Sequence, residues 1–299
     1  MDQDRSLSAV IPRQTTDDVL ETLGSALSAW RNWEKPLAMG TDADQTLWDG
    51  DVGFDIYEAL LAARGVRTEA RDALAREATA CGLDVPPDAD PNDLAARLYD
   101  QFKAGKYDEE RAFAMMAWVF AGWTEDEVGA FAEQTFNATG LPARIRAGMK
   151  ALVAWAHARG LRVIVVSASP QVVVERAVRA FAIPPVDVMA MRPRVTAGVI
   201  QPEMGAPATY GHGKVLAVER ALNIPSPADP SARRQLTLLA AFGDSAYDAA
   251  MLALAMHPVA VTPSPKLLDL CRTLPGAVEL EDPSAPASLP IAPISPRGA

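Results

Sequence analysis

The run Leu161-Arg162-Val163-Ile164-Val165-Val166 constrains the fold more than any other stretch of the chain. It is apolar on both faces of an extended strand, and that pattern belongs to parallel sheets, whose two faces are both covered by helices. Leu236 to Phe242 and Val259 to Val261 read the same way, and Leu37 to Thr41 is a further strand, with Pro36 breaking the helical pattern before it. Helical periodicity separates these runs: one helix extends from after Gly140-Leu141-Pro142 to about Arg159, and others lie at about 170–181, 213–222, 246–255 and 264–272. Alternating strands and helices predict an α/β protein with a doubly wound, Rossmann-like parallel sheet.

From about Gly53 to Ile145 the pattern changes to continuous helix, with Ala-rich amphipathic segments near 54–64, 68–81, 92–104, 108–121 and 125–137. An all-helical cap domain inserted into the sheet domain accounts for that change. The predicted organisation is an N-terminal helical extension over 1–35, a catalytic core over 36–51 and 146–281, a helical cap over 52–145, and a disordered Pro-rich tail over 282–299. Thr15-Thr16-Asp17-Asp18 offers an N-cap to the first helix. That helix, with Trp30 and Trp33, packs on its own core or against a partner. Val186 to Met191 and Val199-Ile200 are expected to form a small hairpin.

At 299 residues and 49% apolar content the chain can bury a substantial core. A formal charge of −10 argues against an extended nucleic-acid partner. With only two cysteines, Cys81 and Cys271, and no CxxC or Cys/His cluster, the sequence argues against a disulfide framework or a structural zinc site. There is no signal-like N-terminus and no apolar run of membrane-spanning length, so a cytoplasmic protein without a membrane partner is expected.

The chemistry-bearing residues lie where predicted strands end, the crevice in which open α/β sheets bind ligands. Asp42 and Asp44 follow the first strand two residues apart, so both carboxylates can share a face. Such a pair can hold a divalent cation or divide the labour of nucleophile and general acid. Ser167-Ala168-Ser169-Pro170 ends the central strand and opens a helix, an arrangement that suits phosphate as well as simple capping. Gly211-His212-Gly213-Lys214 puts a lysine at another helix start. Asp244 ends a buried strand and Asp248 lies on the following turn, giving oxygen ligands suited to Mg²⁺. A turn aspartate or a surface lysine is commonplace by itself. Four such motifs in order are not.

That order, DxDxT, then Ser after a buried strand, then Lys, then GDSxxD, resembles the haloacid dehalogenase-like (HAD) superfamily in its phosphoserine-phosphatase-like branch, over roughly residues 36–272. The resemblance implies that Asp42 is the nucleophile and Asp44 the general acid and base. It implies that Mg²⁺ is held by Asp42, the carbonyl of Asp44, Asp244 and Asp248, and that Ser167, the Ala168 amide and Lys214 cradle phosphoryl oxygens. A Mg²⁺-dependent phosphomonoester hydrolase acting on a small phosphorylated metabolite is the implied activity. Gln45 stands where many relatives have glycine. Asp44 favours phosphate esters over carbon–halogen bonds, because dehalogenases of the superfamily lack an acid there.

The helical insert occupies the place of the superfamily's substrate-selecting cap. Asp51 is a candidate partner for a substrate amine, and Trp48 for a cation–π contact with it, which would make the substrate an aminoalcohol phosphate such as phosphoserine or phosphocholine. Trp118 and Trp123, at helical spacing among Phe113, Met115, Met116 and Phe120, read as core. Two alternatives share the fold: a phosphotransferase using the same aspartyl-phosphate, and a non-catalytic phosphate-ligand binding protein.

Overall fold

A computed structural model describes residues 10–30, 36–225 and 233–287. Trp33 and the tail beyond residue 287 lie outside the described residues.

The strands are β1 (Arg13–Gln14), β2 (Leu37–Thr41), β3 (Arg162–Pro170), β4 (Val188–Met191), β5 (Pro193–Thr196), β6 (Val199–Met204), β7 (Asn223–Pro225), β8 (Arg233–Gln235), β9 (Thr237–Gly243), β10 (Ala255–Val261) and β11 (Val278–Leu280). Seven form one parallel sheet in the order β1-β11-β10-β9-β2-β3-β4, flanked by helices. This is the doubly wound α/β architecture expected from the apolar runs. Every residue of β2 is buried, as are six of the seven in β9, which is why these strands read as continuous apolar segments.

The chain divides into two compact units. One comprises Met1–Asp49, Ile145–Ile164 and Val218–Ala299. In it β2 pairs with β9, β9 with β10, β10 with β11 and β11 with β1, all parallel. The helix Thr16–Ala29 begins with a capping box in which Thr15 and Asp18 satisfy each other's backbone amides, and it buries Val19, Leu20 and Leu23. β1, just ahead of that helix, pairs with β11, so the N-terminal segment contributes a strand as well as the expected helix. The Pro-rich segment also departs from expectation at its start: the Gly148 amide donates to the Pro283 carbonyl (2.8 Å). A side chain at Gly148 would collide with that carbonyl, so close backbone approach is what holds residues 282–285.

The other unit comprises Gly50–Arg144 and Val165–Ala217. Its helices Val52–Ala62, Arg71–Ala80, Pro91–Lys103, Glu109–Trp118 and Glu125–Thr139 follow the sequence periodicity closely. Four of the five starts carry side-chain caps, from Asp51, Asp90, Asp108 and Thr124. The hairpin in this unit is β5 with β6, whereas β4 pairs with β3 in the sheet. The segment Val188–Met191 was expected in the hairpin; it is buried at three of its four positions, the burial of a sheet strand. Trp118 is buried, and Trp123 donates from its indole N–H to the Gly65 carbonyl (3.1 Å) with the Arg67 guanidinium over its ring. Both serve packing, as their spacing indicated.

Among the described residues no helix is long and apolar enough to cross a membrane.

Candidate active site

Asp42 directly follows β2. Its amide donates to the Phe242 carbonyl of β9 (2.9 Å), which continues the ladder one residue past the strand and fixes where the carboxylate starts. The Thr41 hydroxyl donates to the Asp42 carbonyl (2.7 Å). Chain reversal comes at Gln45, whose φ of +59° is the left-handed conformation that glycine adopts at least cost. This chain meets the turn with Gln.

β9 ends at Gly243, and Asp244 begins the loop that follows it. A Cβ at Gly243 would lie 2.4 Å from the Asp248 Cβ, so no larger residue fits beneath that carboxylate. Asp248 is fully buried. Its Oδ2 accepts from the Asp244 amide (3.2 Å), the Ser245 amide (2.9 Å) and the Ser245 hydroxyl (2.9 Å). This one oxygen ties down the loop that presents Asp244, whose Oδ1 also accepts from the buried Thr46 hydroxyl (3.4 Å).

Carboxylate oxygens of Asp42, Asp244 and Asp248 all lie within 4.8 Å of one another. Ionised carboxylates at that separation repel by roughly 3–4 kcal/mol per pair at an effective dielectric near 20. A cation among them relieves that repulsion, and an all-oxygen donor set suits Mg²⁺. Asp42 thus meets Asp244 and Asp248, which are distant from it in sequence, by strand order, β2 beside β9.

Asp44 is not part of this trio by its side chain. Its Oδ1 accepts from the Trp48 indole N–H (2.9 Å), and Trp48 is fully buried. Trp48 is therefore not a ring open to a substrate cation, contrary to the expectation from its place beyond the first motif. Its buried N–H orients Asp44. Asp51 caps the helix Val52–Ala62 by accepting from the Phe54 amide (2.9 Å).

The remaining predicted residues belong to the helical unit. Ser167 is buried in β3, with its hydroxyl oxygen accepting from the Ser169 amide (3.0 Å). Lys214 is buried too, on the helix His212–Leu222. The Thr209 hydroxyl donates to the Ser167 carbonyl (2.5 Å), which ties the end of β3 to the segment leading into that helix.

One participant escaped the sequence reading. Arg146 is almost fully buried and reaches Asp49 (3.5 Å) and the Thr262 hydroxyl (3.3 Å). Burial pushes its guanidinium down from the usual value, while Asp49, Asp244 and Asp282 act in the opposite direction. It lines a cleft of about 410 Å³ together with Gln45, Asp49, Asp244, Thr262 and Ser264. The only sequence signal was an arginine at the N-cap position of the helix Ala147–Ala158, a place that seldom favours one.

A sequence model of the haloacid dehalogenase-like hydrolases matches residues 40–253, which include Asp42, Asp44, Asp244 and Asp248. The chain belongs to that family. Among solved structures, the haloacid dehalogenase-like fold recurs in a protein with unknown function from Bordetella pertussis Tohama I at 20% identity and a TM-score of 0.59, over 83% of this chain and 99% of that one. A conserved, functionally unknown protein from Anaerococcus prevotii DSM 20548 is 13% identical with a TM-score of 0.62, over 88% and 90% of the two chains. A probable phosphoserine phosphatase from Vibrio cholerae is 16% identical over 86% of this chain and 67% of that one, but at a TM-score of 0.45 the likeness is too slight to bear on chemistry. No curated protein matches the sequence.

Proposed function

We propose that this haloacid dehalogenase-like hydrolase is a Mg²⁺-dependent phosphomonoesterase that works through a phosphorylated Asp42, in the manner of the phosphoserine-phosphatase-like branch. The observation that carries this reading is the convergence of Asp42, Asp244 and Asp248 within 4.8 Å at the carboxyl ends of β2 and β9. Asp42 and Asp244 each follow a strand that leaves its carboxylate little freedom.

Phosphoryl transfer depends on positioning and on neutralising charge. Mg²⁺, held by Asp42, Asp244, Asp248 and the Asp44 carbonyl, supplies that neutralisation when bound. An Asp42 oxygen attacks phosphorus as the ester P–O bond breaks, and Asp44 gives its proton to the leaving oxygen. Asp44, now ionised, takes a proton from water as the water attacks the acyl phosphate; inorganic phosphate leaves and Asp42 is regenerated. The indole N–H of Trp48 holds one Asp44 oxygen, which fixes the orientation of the acid through both halves of the cycle. Ser167, the Ala168 amide and Lys214 are proposed as ligands of the phosphoryl oxygens, on the order of the motifs. A small phosphorylated metabolite is the proposed substrate and the cytoplasm the proposed compartment.

The experiment is phosphate release from a panel of small phosphomonoesters and nitrophenyl phosphate, with Mg²⁺ and after its removal by chelation. Release that requires Mg²⁺ is expected for at least one ester. Release undiminished by chelation would contradict the reading.

A further inference from the structure

Five aromatic rings meet in the helical unit. Phe54 lies 6.3 Å from Tyr99, 5.7 Å from Phe102 and 6.0 Å from Phe113, measured between ring centroids. Tyr99 and Phe102 are stacked at 6.2 Å with 13° between their planes, and Phe102 meets Phe113 edge-on at 5.8 Å. Phe113 in turn lies 5.5 Å from Tyr210. Three helices and a loop contribute these rings, so they do not arise from one amphipathic stripe. Helical cores bury their aromatics, as this unit buries Tyr57 on the far side of Tyr99. Phe54, Phe102, Phe113 and Tyr210 are all left partly exposed. Half-buried aromatic rings gathered from separate elements offer a ligand their faces without having to leave the core.

The surroundings specify a cation. Glu58 accepts from the Tyr99 hydroxyl (2.7 Å) and Glu109 from the Tyr210 hydroxyl, so carboxylates flank the rings at both ends. The Lys103 ammonium, paired with Asp100 (3.0 Å), sits 4.5 Å over the Tyr99 ring, so that ring already carries a cation and a ligand would meet Phe54, Phe102, Phe113 and Tyr210. Ring faces attract cations electrostatically, and a methylated ammonium gains most, because it gives up no hydrogen bonds to water when it leaves solvent.

The cluster also adjoins the residues proposed for phosphate. The Tyr210 carbonyl accepts from the Gly213 amide (2.8 Å) at the turn opening the helix that carries Lys214. Thr209, next to Tyr210, is bonded to the Ser167 carbonyl. At Gly53, beside Phe54, a Cβ would come within 2.5 Å of the Ser169 hydroxyl, so the Phe54 helix presses against the segment just after Ser167.

We propose that this aromatic cluster receives a quaternary ammonium group, and that the substrate is an alkyl phosphate ester bearing such a cation, with its phosphoryl oxygens on Ser167 and Lys214. The assignment of the ester rests on the phosphomonoesterase reading above. Binding of the ammonium group does not.

Two measurements separate them. In the first, choline phosphate is compared with neohexyl phosphate, its uncharged carbon isostere. Choline phosphate should show a KM lower by about tenfold. Phe102→Leu should bring the two KM values together, and Phe102→Tyr, which keeps a ring, should preserve the difference. Equal KM values for the two esters in the unsubstituted protein would overturn the proposal. The second measurement is calorimetric binding of tetramethylammonium, which needs no turnover. Binding that Phe102→Leu removes and Phe102→Tyr retains would support the ammonium site even if no ester were hydrolysed, a result that would count against the phosphomonoesterase reading alone. Absence of tetramethylammonium binding would overturn the site.

Discussion

Replacing Asp42 by Asn should lower phosphate release by about 10⁴-fold or more. The amide has nearly the shape of the carboxylate but lacks the anionic oxygen that attacks phosphorus, and it removes one charge from the acidic trio. The backbone around it should hold. The Asp42 amide is bonded to Phe242 and the carbonyl accepts from Thr41, and neither contact involves the side chain that changes. Steady-state phosphate release at saturating substrate, with a thermal melt as the control for folding, measures the effect. Activity within tenfold of the unsubstituted protein would remove Asp42 from the role of nucleophile.

The second large effect concerns stability as well as activity. Asp248→Ala deletes one buried oxygen that serves three donors, the amides of Asp244 and Ser245 and the Ser245 hydroxyl. Leaving buried donors unsatisfied costs about 1–3 kcal/mol each, and because Asp244 and Ser245 are half-buried, water and loop relaxation offset part of that. With Mg²⁺ saturating, so that repulsion among the three carboxylates is already relieved in the unsubstituted protein, we expect a net loss of about 3 kcal/mol, which for a domain of this size lowers Tm by about 6–12 °C. Asp248→Asn keeps an acceptor at the same place and should lose much less stability, while still weakening Mg²⁺ binding through the lost charge. The melting temperatures of the two variants check the argument. An unchanged Tm for Asp248→Ala would mean that the loop presenting Asp244 is held by other contacts.

The sheet was legible because its strands are buried on both faces. β2, β3 and β9 announce themselves as apolar runs, and the parallel arrangement follows from that pattern. β1 and β11 were not legible, since strands of two or three residues carry no periodicity and their pairing depends on residues far apart in sequence. The same limit applied at β4, where Val188–Met191 reads equally well as a hairpin strand until the burial of both faces is known.

Around the active site, what could be read was the spacing of acids at strand ends. Their convergence follows from strand order, so Asp42 and Asp244 meet although some two hundred residues separate them in the chain. What could not be read was the orientation of side chains that take part indirectly. Trp48 looked like a ring available to a ligand, yet the short reversal at Gln45 turns it inward onto Asp44. Arg146 gave almost no signal, because a buried arginine and a surface arginine have the same letter and only its neighbours distinguish them. The aromatic cluster is of the same kind: Phe54, Phe102, Phe113 and Tyr210 stand on separate elements, and each ring taken singly reads as core.

The central claim, covalent phosphorylation of Asp42, is tested most directly by acid-quenching the enzyme during turnover and weighing its peptides by mass spectrometry. The Asp44→Asn variant turning over nitrophenyl phosphate is the form to use, because that leaving group needs no proton from Asp44 while the variant lacks the base that activates water, so the intermediate should accumulate. The mass of one phosphoryl group on the peptide containing Asp42, absent from Asp42→Asn, is the expected result. Turnover with no phosphorylated peptide at Asp42 in either the unsubstituted enzyme or Asp44→Asn would contradict the mechanism.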